Sequence, residues 1–313
     1  MPIYPQLAGI QTLGVILSDK TALHMDSALI LKQKFDSGEI NDYKQASDFL
    51  DKSELIKALL TDFDSDILGL VNRLIELTEI PFAYKIEKVQ KWINKLADLS
   101  FCDDGFSITG KSDDILSCYN SMITSILIRS DYSDKERISK GIDWILKYQN
   151  VERNVDNKWT GSRILKYGGC LKATPCYIGI VKAMIALSDY KKFPDYVPND
   201  LLETKLDKGL NYILAHQVYK RKSNGQPISQ EIDKITYPFS YKTNMIEILR
   251  LLKDNGLDKD SRCNSAKDYL RAKKQSSGFW HVNSANRHKS WIQFDKPKES
   301  GLWISYEIEK IIN

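Results

Sequence analysis

The sequence predicts an all-α protein built from repeated helical hairpins. Apolar residues recur at helical spacing, as in the stripe formed by Leu68, Val71, Leu74 and Ile75. No run of β-branched residues with a period of two is long enough for a sheet strand. A related segment returns every ~60 residues, the length of two helices with their loops. With 42% hydrophobic and 27% charged residues, the chain can bury a sizeable core.

The overall charge excludes a general nucleic-acid binder, because 45 basic and 41 acidic residues leave a net charge of only +4. The charge is uneven, since residues 201–313 carry 20 basic and 13 acidic side chains, an excess of +7. An acidic ligand or partner would explain this excess, and so would a solvated surface.

The sequence shows neither a signal peptide nor a membrane span. The longest apolar stretch near the start, 7–17, is interrupted by Gln11 and Thr12, and it lacks the flanks of a signal peptide. No stretch reaches the ~18 apolar residues of a membrane-spanning helix. The odd count of five cysteines is typical of free thiols. We therefore expect a cytoplasmic protein.

The repeat is clearest in three segments. Residues 140–149 read KGIDWILKYQ, residues 208–217 read KGLNYILAHQ, and residues 266–270 read AKDYL. The loops that follow them contain the glycine and tryptophan residues Trp159, Gly225, Gly278 and Trp280. We expect the aromatic residue of each copy to pack between neighbouring hairpins. The closing glutamine is expected to tie the end of an outer helix to the start of the next helix.

This pattern resembles the repeat of squalene cyclases and of protein prenyltransferase β subunits. The order of elements after residue 60 is also similar to that of bacterial proteins known only as prenyltransferase or squalene-oxidase repeat proteins. The stretches YPFSY at 237–241 and GFW at 278–280 carry this closer likeness. The resemblance implies an (α/α)6 toroid, in which six inner helices surround a lumen and six outer helices lie behind them.

We expect a single domain over 1–313, because the repeat runs to the C-terminus without a linker. It would consist of a repeat region, 61–313, and irregular N-terminal helices, 1–60, whose part in closing the ring is open. The inner helices are expected at 20–34, 64–79, 113–130, 174–189, 240–255 and 299–312. The outer helices are expected at 42–60, 83–99, 134–149, 203–219 and 261–274.

The catalytic motifs of these families are absent. The resemblance therefore predicts the fold of the chain but not its reaction. Class II terpene cyclases protonate their substrate with an Asp-x-Asp-Asp motif, and class I enzymes use Asp-Asp-x-x-Asp; the chain contains neither. The zinc site of protein prenyltransferases, built from aspartate, cysteine and histidine, has no matching segment. The catalytic residues are therefore unknown, and neither a cyclase-like nor a prenyltransferase-like reaction is assigned.

Residues 105–112, GFSITGKS, match the phosphate-binding P-loop pattern letter for letter. A P-loop follows a buried strand, whereas two aspartates precede this segment and no parallel-sheet pattern exists. A narrower hypothesis is an anion site at Gly110, Lys111 and Ser112, where an inner helix is expected to begin. The alternative is that Ser112 simply caps that helix.

Three cysteines form a candidate metal site: Cys118, Cys170 and Cys176. Cys118 and Cys176 are expected in the first turns of consecutive inner helices, with Cys170 in the loop between them. Helix N-termini favour thiolates, and converging thiolates would hold Zn²⁺ or an iron centre. No Cys-x-x-Cys pair is present, so the alternative is that these cysteines are small packing residues.

Residues near the starts of the inner helices are candidates for lining the lumen: Tyr119, Tyr177, Tyr237, Phe239, Tyr241, Lys242 and Trp303. Aromatic walls suit an apolar or cationic guest, and isoprenoids meet both descriptions. The alternative is that these rings fill a small toroid and leave no cavity.

Two functions follow from these patterns. The chain is either a toroid whose aromatic lumen binds an apolar small molecule, with catalysis undetermined, or a non-catalytic scaffold whose rim binds another protein. The cysteines and the aromatic residues favour the first function, and the missing carboxylate motifs favour the second. We take the lumen ligand-binding protein as the leading hypothesis.

Overall fold

The computed structural model describes residues 25–155, 159, 161, 174–194, 196–284 and 288–313. It is mostly helical, with 55% helix, which confirms the predicted all-α class. This part of the chain contains twelve α-helices and one two-stranded antiparallel sheet. None of the described helices combines the length and the apolar character that a bilayer crossing requires.

The helices follow one another along the whole described chain. The first six are α1 (Ser27–Asp36), α2 (Tyr43–Lys52), α3 (Glu54–Leu59), α4 (Ile67–Leu77), α5 (Glu87–Ser100) and α6 (Ser117–Arg129). The other six are α7 (Lys135–Tyr148), α8 (Tyr177–Lys191), α9 (Asp200–Ala215), α10 (Met245–Asp254), α11 (Asn264–Ala272) and α12 (Leu302–Ile312). Strands β1 (Phe101–Cys102) and β2 (Gly105–Phe106) form a short hairpin between α5 and α6.

Several helix starts are fixed by a side chain that accepts a hydrogen bond from the first turn. Asp66 accepts from the Gly69 N–H at 2.7 Å at the start of α4. Ser53 accepts from the Ile56 N–H at 3.0 Å at the start of α3, and its own backbone is extended. This cap divides the predicted outer helix at 42–60 into α2 and α3.

Alternate helices pack directly against one another along the chain. α6 packs on α4 and α8, α8 packs on α10, and α10 packs on α12. α12 in turn contacts α1, because Lys310 Nζ lies 2.7 Å from the Asp36 carboxylate and the Tyr306 hydroxyl lies 2.9 Å from it. The helices between them, α5, α7, α9 and α11, each pack on members of this series. These contacts follow the alternation expected of inner and outer helices.

Small residues of the repeat let α7 approach α6 and α9 approach α8 closely. A Cβ atom at Gly141 of α7 would overlap Thr124 of α6, and a Cβ atom at Gly209 of α9 would overlap Met184 of α8. The third copy has the fully buried Ala266 at this position. Close helix packing is therefore the physical reason for the small residue in each copy.

The closing glutamines of the repeat differ in their contacts and in their exposure to solvent. Gln149, just after α7, accepts a hydrogen bond from the Ser117 hydroxyl at the start of α6, so it ties its own hairpin together. Gln217 and Gln275 are exposed. The expected tie is thus made in one copy, and it joins the end of α7 to the preceding helix, α6, rather than to the next helix.

Candidate functional site

The helices α6, α8 and α10 bury polar side chains where they face one another. On α6, Cys118, Ser121, Ser125 and Arg129 recur every three or four residues and so share one face. The Ser125 hydroxyl donates to the Asp189 carboxylate of α8 at 2.5 Å, and Arg129 Nε lies 2.7 Å from the same carboxylate. The contact between helices is therefore polar along much of its length.

Ion pairs fill the region at the C-terminal ends of α6, α8 and α10, which we call the ionic end. At its centre Glu79, just after α4, receives two hydrogen bonds from Arg250 of α10, at 2.5 and 2.8 Å. The Tyr237 hydroxyl donates to the same carboxylate at 2.8 Å, and Arg129 lies 3.5 Å from it. Burial alone would raise the pKa of Glu79, but Arg250 and then Arg129 lower it to about 2. Glu79 is therefore ionised at neutral pH.

Further charges extend the ionic end to α12 and α1. Glu307 is 1% exposed and lies 3.7 Å from Arg250 and 3.9 Å from both Lys32 and Lys310. The Asp36 carboxylate accepts from both lysines at 2.7 Å. The carboxylates Asp36, Glu79, Asp189 and Glu307 thus face the cations Lys32, Arg129, Arg250 and Lys310. The charges balance, which is the condition under which buried ions are tolerated.

Little free space remains among these ions. A cavity of about 10 Å³ lies between α6, α8 and α10, with Arg129, Asp189 and Arg250 in its wall. That volume is about the size of one water molecule. This cavity is therefore too small for a small-molecule ligand.

A buried lysine–glutamate pair lies between α8 and α10. Lys182 Nζ lies 2.5 Å from Glu247 and donates to the Ser240 carbonyl at 2.7 Å, while the Thr243 hydroxyl donates to the other Glu247 oxygen. Burial lowers the pKa of Lys182, and the neighbouring Glu247 opposes that shift. The hydroxyls of Ser240 and Ser121 are buried without a hydrogen-bond partner among the described residues.

Aromatic rings and thiols lie at the N-terminal ends of α6, α8 and α10. This region consists of Cys118, Tyr119, Cys176 and Tyr241 and is termed the aromatic mouth. The rings of Tyr119 and Tyr241 stack with centroids 5.1 Å apart and an interplanar angle of 14°. The Cys118 thiol is hydrogen-bonded to the Tyr241 hydroxyl, and both groups interact electrostatically with Cys176. Both tyrosines and Cys176 are half-buried, so this end reaches the surface.

The structure divides the predicted lumen residues into two groups. Tyr119, Tyr241 and Lys242 are half-buried at or beside the aromatic mouth. The other four, Tyr177, Tyr237, Phe239 and Trp303, are at most 9% exposed.

The buried group packs within the protein core. The Tyr237 ring lies 5.3 Å from the Phe239 ring and 6.0 Å from the Trp303 ring. The Tyr177 hydroxyl donates to the backbone carbonyl of Val218, just after α9. These four residues therefore act as core packing residues, which is the alternative that the sequence left open.

The predicted anion site at Gly110, Lys111 and Ser112 lacks the helix start on which it depended. Ser112 opens a single 3₁₀ turn, and α6 begins only at Ser117, so the predicted helix boundary is wrong. The Lys111 N–H donates to the Ser107 hydroxyl at 2.9 Å and is therefore already used within the loop. Strand β2, at the start of the P-loop match, belongs to an antiparallel hairpin. The match thus has neither the parallel strand nor the α-helix of a phosphate site.

The predicted cysteine site is described only in part, because Cys170 lies outside the described residues. Cys118 and Cys176 are close enough to interact electrostatically. Burial raises the pKa of Cys118 to about 12, and Cys176 adds to this shift, so the expected thiolate does not form at Cys118. The part of the chain that the structure describes holds no group of three side chains able to bind a metal ion.

Comparison with protein-family models, with curated proteins and with solved structures found no match to this chain. The likeness to squalene cyclases and prenyltransferase β subunits therefore rests on the repeat pattern in the sequence.

The ionic end is the feature that sequence reasoning missed. The sequence does contain a signal for it. Polar residues recur at helical spacing on helices that are otherwise mostly apolar, as Ser121, Ser125 and Arg129 do on α6. Such a stripe indicates a buried polar face, although it does not identify the partner residues.

Proposed function

We propose that the chain forms an (α/α)6 ring and that its aromatic mouth binds an apolar small molecule. The ring is supported by the sequential contacts among α4, α6, α8, α10 and α12 and by the hydrogen bonds that join α12 to α1. The repeat that resembles squalene cyclases and prenyltransferase β subunits supports the same architecture. No reaction is assigned to the site.

The stacked pair of Tyr119 and Tyr241 is the observation that carries this proposal. Two rings 5.1 Å apart form an apolar wall, yet both remain half-buried at the surface. Covering such a surface with an apolar guest contributes about 25 cal/mol for each Å² removed from water.

The guest we propose has an apolar body and one polar end. Below the aromatic mouth the interior becomes polar, and the Ser121 and Ser240 hydroxyls lack partners among the described residues. A buried hydroxyl without a partner costs about 1–3 kcal/mol, so a guest that ends in a hydroxyl or carbonyl group would gain by meeting one. The balanced ionic end stops the guest from passing further. An isoprenoid alcohol has this chemistry.

Two measurements test the proposal. Native mass spectrometry of the purified protein should detect a retained small molecule, and titration with farnesol should quench the intrinsic fluorescence saturably. Tyr241→Ala should weaken farnesol binding about 10-fold, the equivalent of one aromatic contact of ~1.4 kcal/mol. The control Tyr43→Ala removes a ring that is 39% exposed on α2 and should leave the affinity unchanged. Absence of farnesol binding, or equal binding by both variants, would rule the site out.

A further inference from the structure

An open groove of about 410 Å³ lies on the outer helix α9. Its lining includes Arg153 from the loop after α7, Asp207 and Tyr212 from α9, and Lys222 from the loop after α9. None of the groove residues belongs to the aromatic mouth, so the groove is a separate surface of the molecule.

The groove marks a difference between two copies of the repeat. In the first copy the loop after α7 returns Trp159 onto the helix, where its ring lies 5.4 Å from Trp144 and 4.9 Å from Tyr148. In the second copy Tyr212 takes the position of Trp144, but the loop after α9 brings Lys222 Nζ to 5.9 Å from its ring. An aromatic cover in one copy is thus replaced by a cation and an open groove in the other.

Two cations of the groove, Arg153 and Lys222, have no carboxylate within 4 Å among the residues that the structure describes. Both side chains are exposed. By contrast, Lys208 is paired with Glu152 at 2.8 Å. The pKa of His216 is lowered by burial first, and the positive charges of Lys222 and Arg153 lower it further.

That imidazole packs on the Tyr212 ring, with centroids 4.8 Å apart. Arg153 and Lys222 thus line the same groove as this aromatic ring. Asp207 is one of two carboxylates in the lining, and it accepts a hydrogen bond from the Asn211 amide. The lining as a whole carries three cations and two carboxylates, a net charge of 3 − 2 = +1.

We infer that this groove binds a small phosphate-bearing ligand that also carries a flat ring, the chemistry of a nucleoside monophosphate. Arginine and lysine are the side chains that bind phosphate oxygens, and a tyrosine face stacks on a planar base. A phosphate at Arg153 and Lys222 would leave the base over Tyr212. The site is independent of the aromatic mouth, and its failure would leave the proposed function untouched.

Calorimetric titration of the full chain with AMP at low ionic strength tests this inference. We expect saturable binding that weakens at least 10-fold in the double variant Arg153→Ala/Lys222→Ala, since each lost phosphate contact costs about 1 kcal/mol or more. Lys222→Glu alone should weaken it similarly by adding repulsion. The control Lys57→Ala, on α3 and exposed in a pair with Glu54, should bind AMP like the unaltered protein. Circular dichroism of each variant verifies folding.

Two further ligands separate the contributions of charge and ring. Adenosine, which lacks the phosphate, and inorganic phosphate, which lacks the ring, should each bind at least 10-fold more weakly than AMP. The inference is overturned if AMP does not bind, if the double variant retains full affinity, or if either smaller ligand binds as tightly as AMP.

Discussion

The two ends of the α6, α8 and α10 group differ in what they bury. At the ionic end Glu79 is fully enclosed and meets two arginines, whereas at the aromatic mouth Tyr119 and Tyr241 stack and remain half-exposed. Every charge at the ionic end has an opposite charge nearby, so the protein itself neutralises the charge of that end. The rings of the mouth still present apolar surface to solvent. The same group of helices is thus held together by ion pairs at one end and presents partly exposed rings at the other.

Of the changes we consider, removal of the Glu79 carboxylate should lower the stability of the protein most. It disrupts the ionic end and leaves the aromatic mouth intact. Glu79→Gln leaves Arg250 and Arg129 without their shared anion and should lower the free energy of unfolding by about 3–5 kcal/mol. Urea denaturation measures this change.

The matched control is Asp48→Asn on α2. Asp48 pairs with Lys52, but both side chains are 68% exposed, so its loss should cost less than about 0.5 kcal/mol. Equal effects of Glu79→Gln and Asp48→Asn would mean that the ionic end contributes no more than an ordinary surface ion pair.

The pH dependence of stability should differ between two buried carboxyl groups. Asp295 accepts from the N–H groups of Trp303 and Ile304 at the start of α12, at 3.1 and 2.8 Å, and burial raises its pKa to about 6 despite these bonds. Its folded pKa exceeds the unfolded value of ~3.9, so its contribution is present below pH ~4 and is lost as the pH rises through about 6. Glu79 has the opposite sign, since its contribution is present above pH ~4.3 and is lost as the pH falls towards about 2.

We therefore expect Asp295→Asn to flatten the stability profile between pH 4 and 6 and Glu79→Gln to flatten it below pH 4. Urea unfolding at a series of pH values measures both slopes, and each variant serves as the control for the other. An unchanged slope between pH 4 and 6 in Asp295→Asn would show that the Asp295 carboxyl is not held neutral by burial.

The sequence sufficed to predict the helix series, because its signals are local. Apolar stripes mark each helix, and the small residues Gly141 and Gly209 lie where α7 approaches α6 and α9 approaches α8. The ionic end was not predictable in the same way. Glu79 and Arg250 are separated by 171 positions, and only the fold brings them together. A stripe of polar residues on one helix does not identify such a partner.

The boundary of α6 shows how local signals also mislead. Ser112 and the two aspartates that follow it are good helix-capping residues, and they do open a helical turn. That turn is of the 3₁₀ type and ends before Ile115, whose extended backbone separates it from α6. 3₁₀ turns are frequent near the ends of α-helices, so capping residues alone could not distinguish this short turn from the first turn of α6.

The smallest effect we expect concerns the thiols of the mouth. Cys118 is 3% exposed and its pKa is raised to about 12, whereas Cys176 is half-buried. Iodoacetamide at pH 8 should therefore label Cys176 well before Cys118, because alkylation requires an accessible thiolate. Peptide mass spectrometry after timed labelling reads out the order. Labelling of both at the same rate would contradict the buried position of Cys118.

Hydrogen exchange with and without farnesol tests the difference between the two ends most directly. If the mouth binds the guest and the ionic end excludes it, added protection should be confined to peptides that cover 117–122 and 239–246. The peptides around Arg129 and Arg250 should exchange at the same rate in both samples. Protection that appears mainly around Arg129 and Arg250, or in neither region at saturating farnesol, would contradict the assignment of the mouth as the binding end.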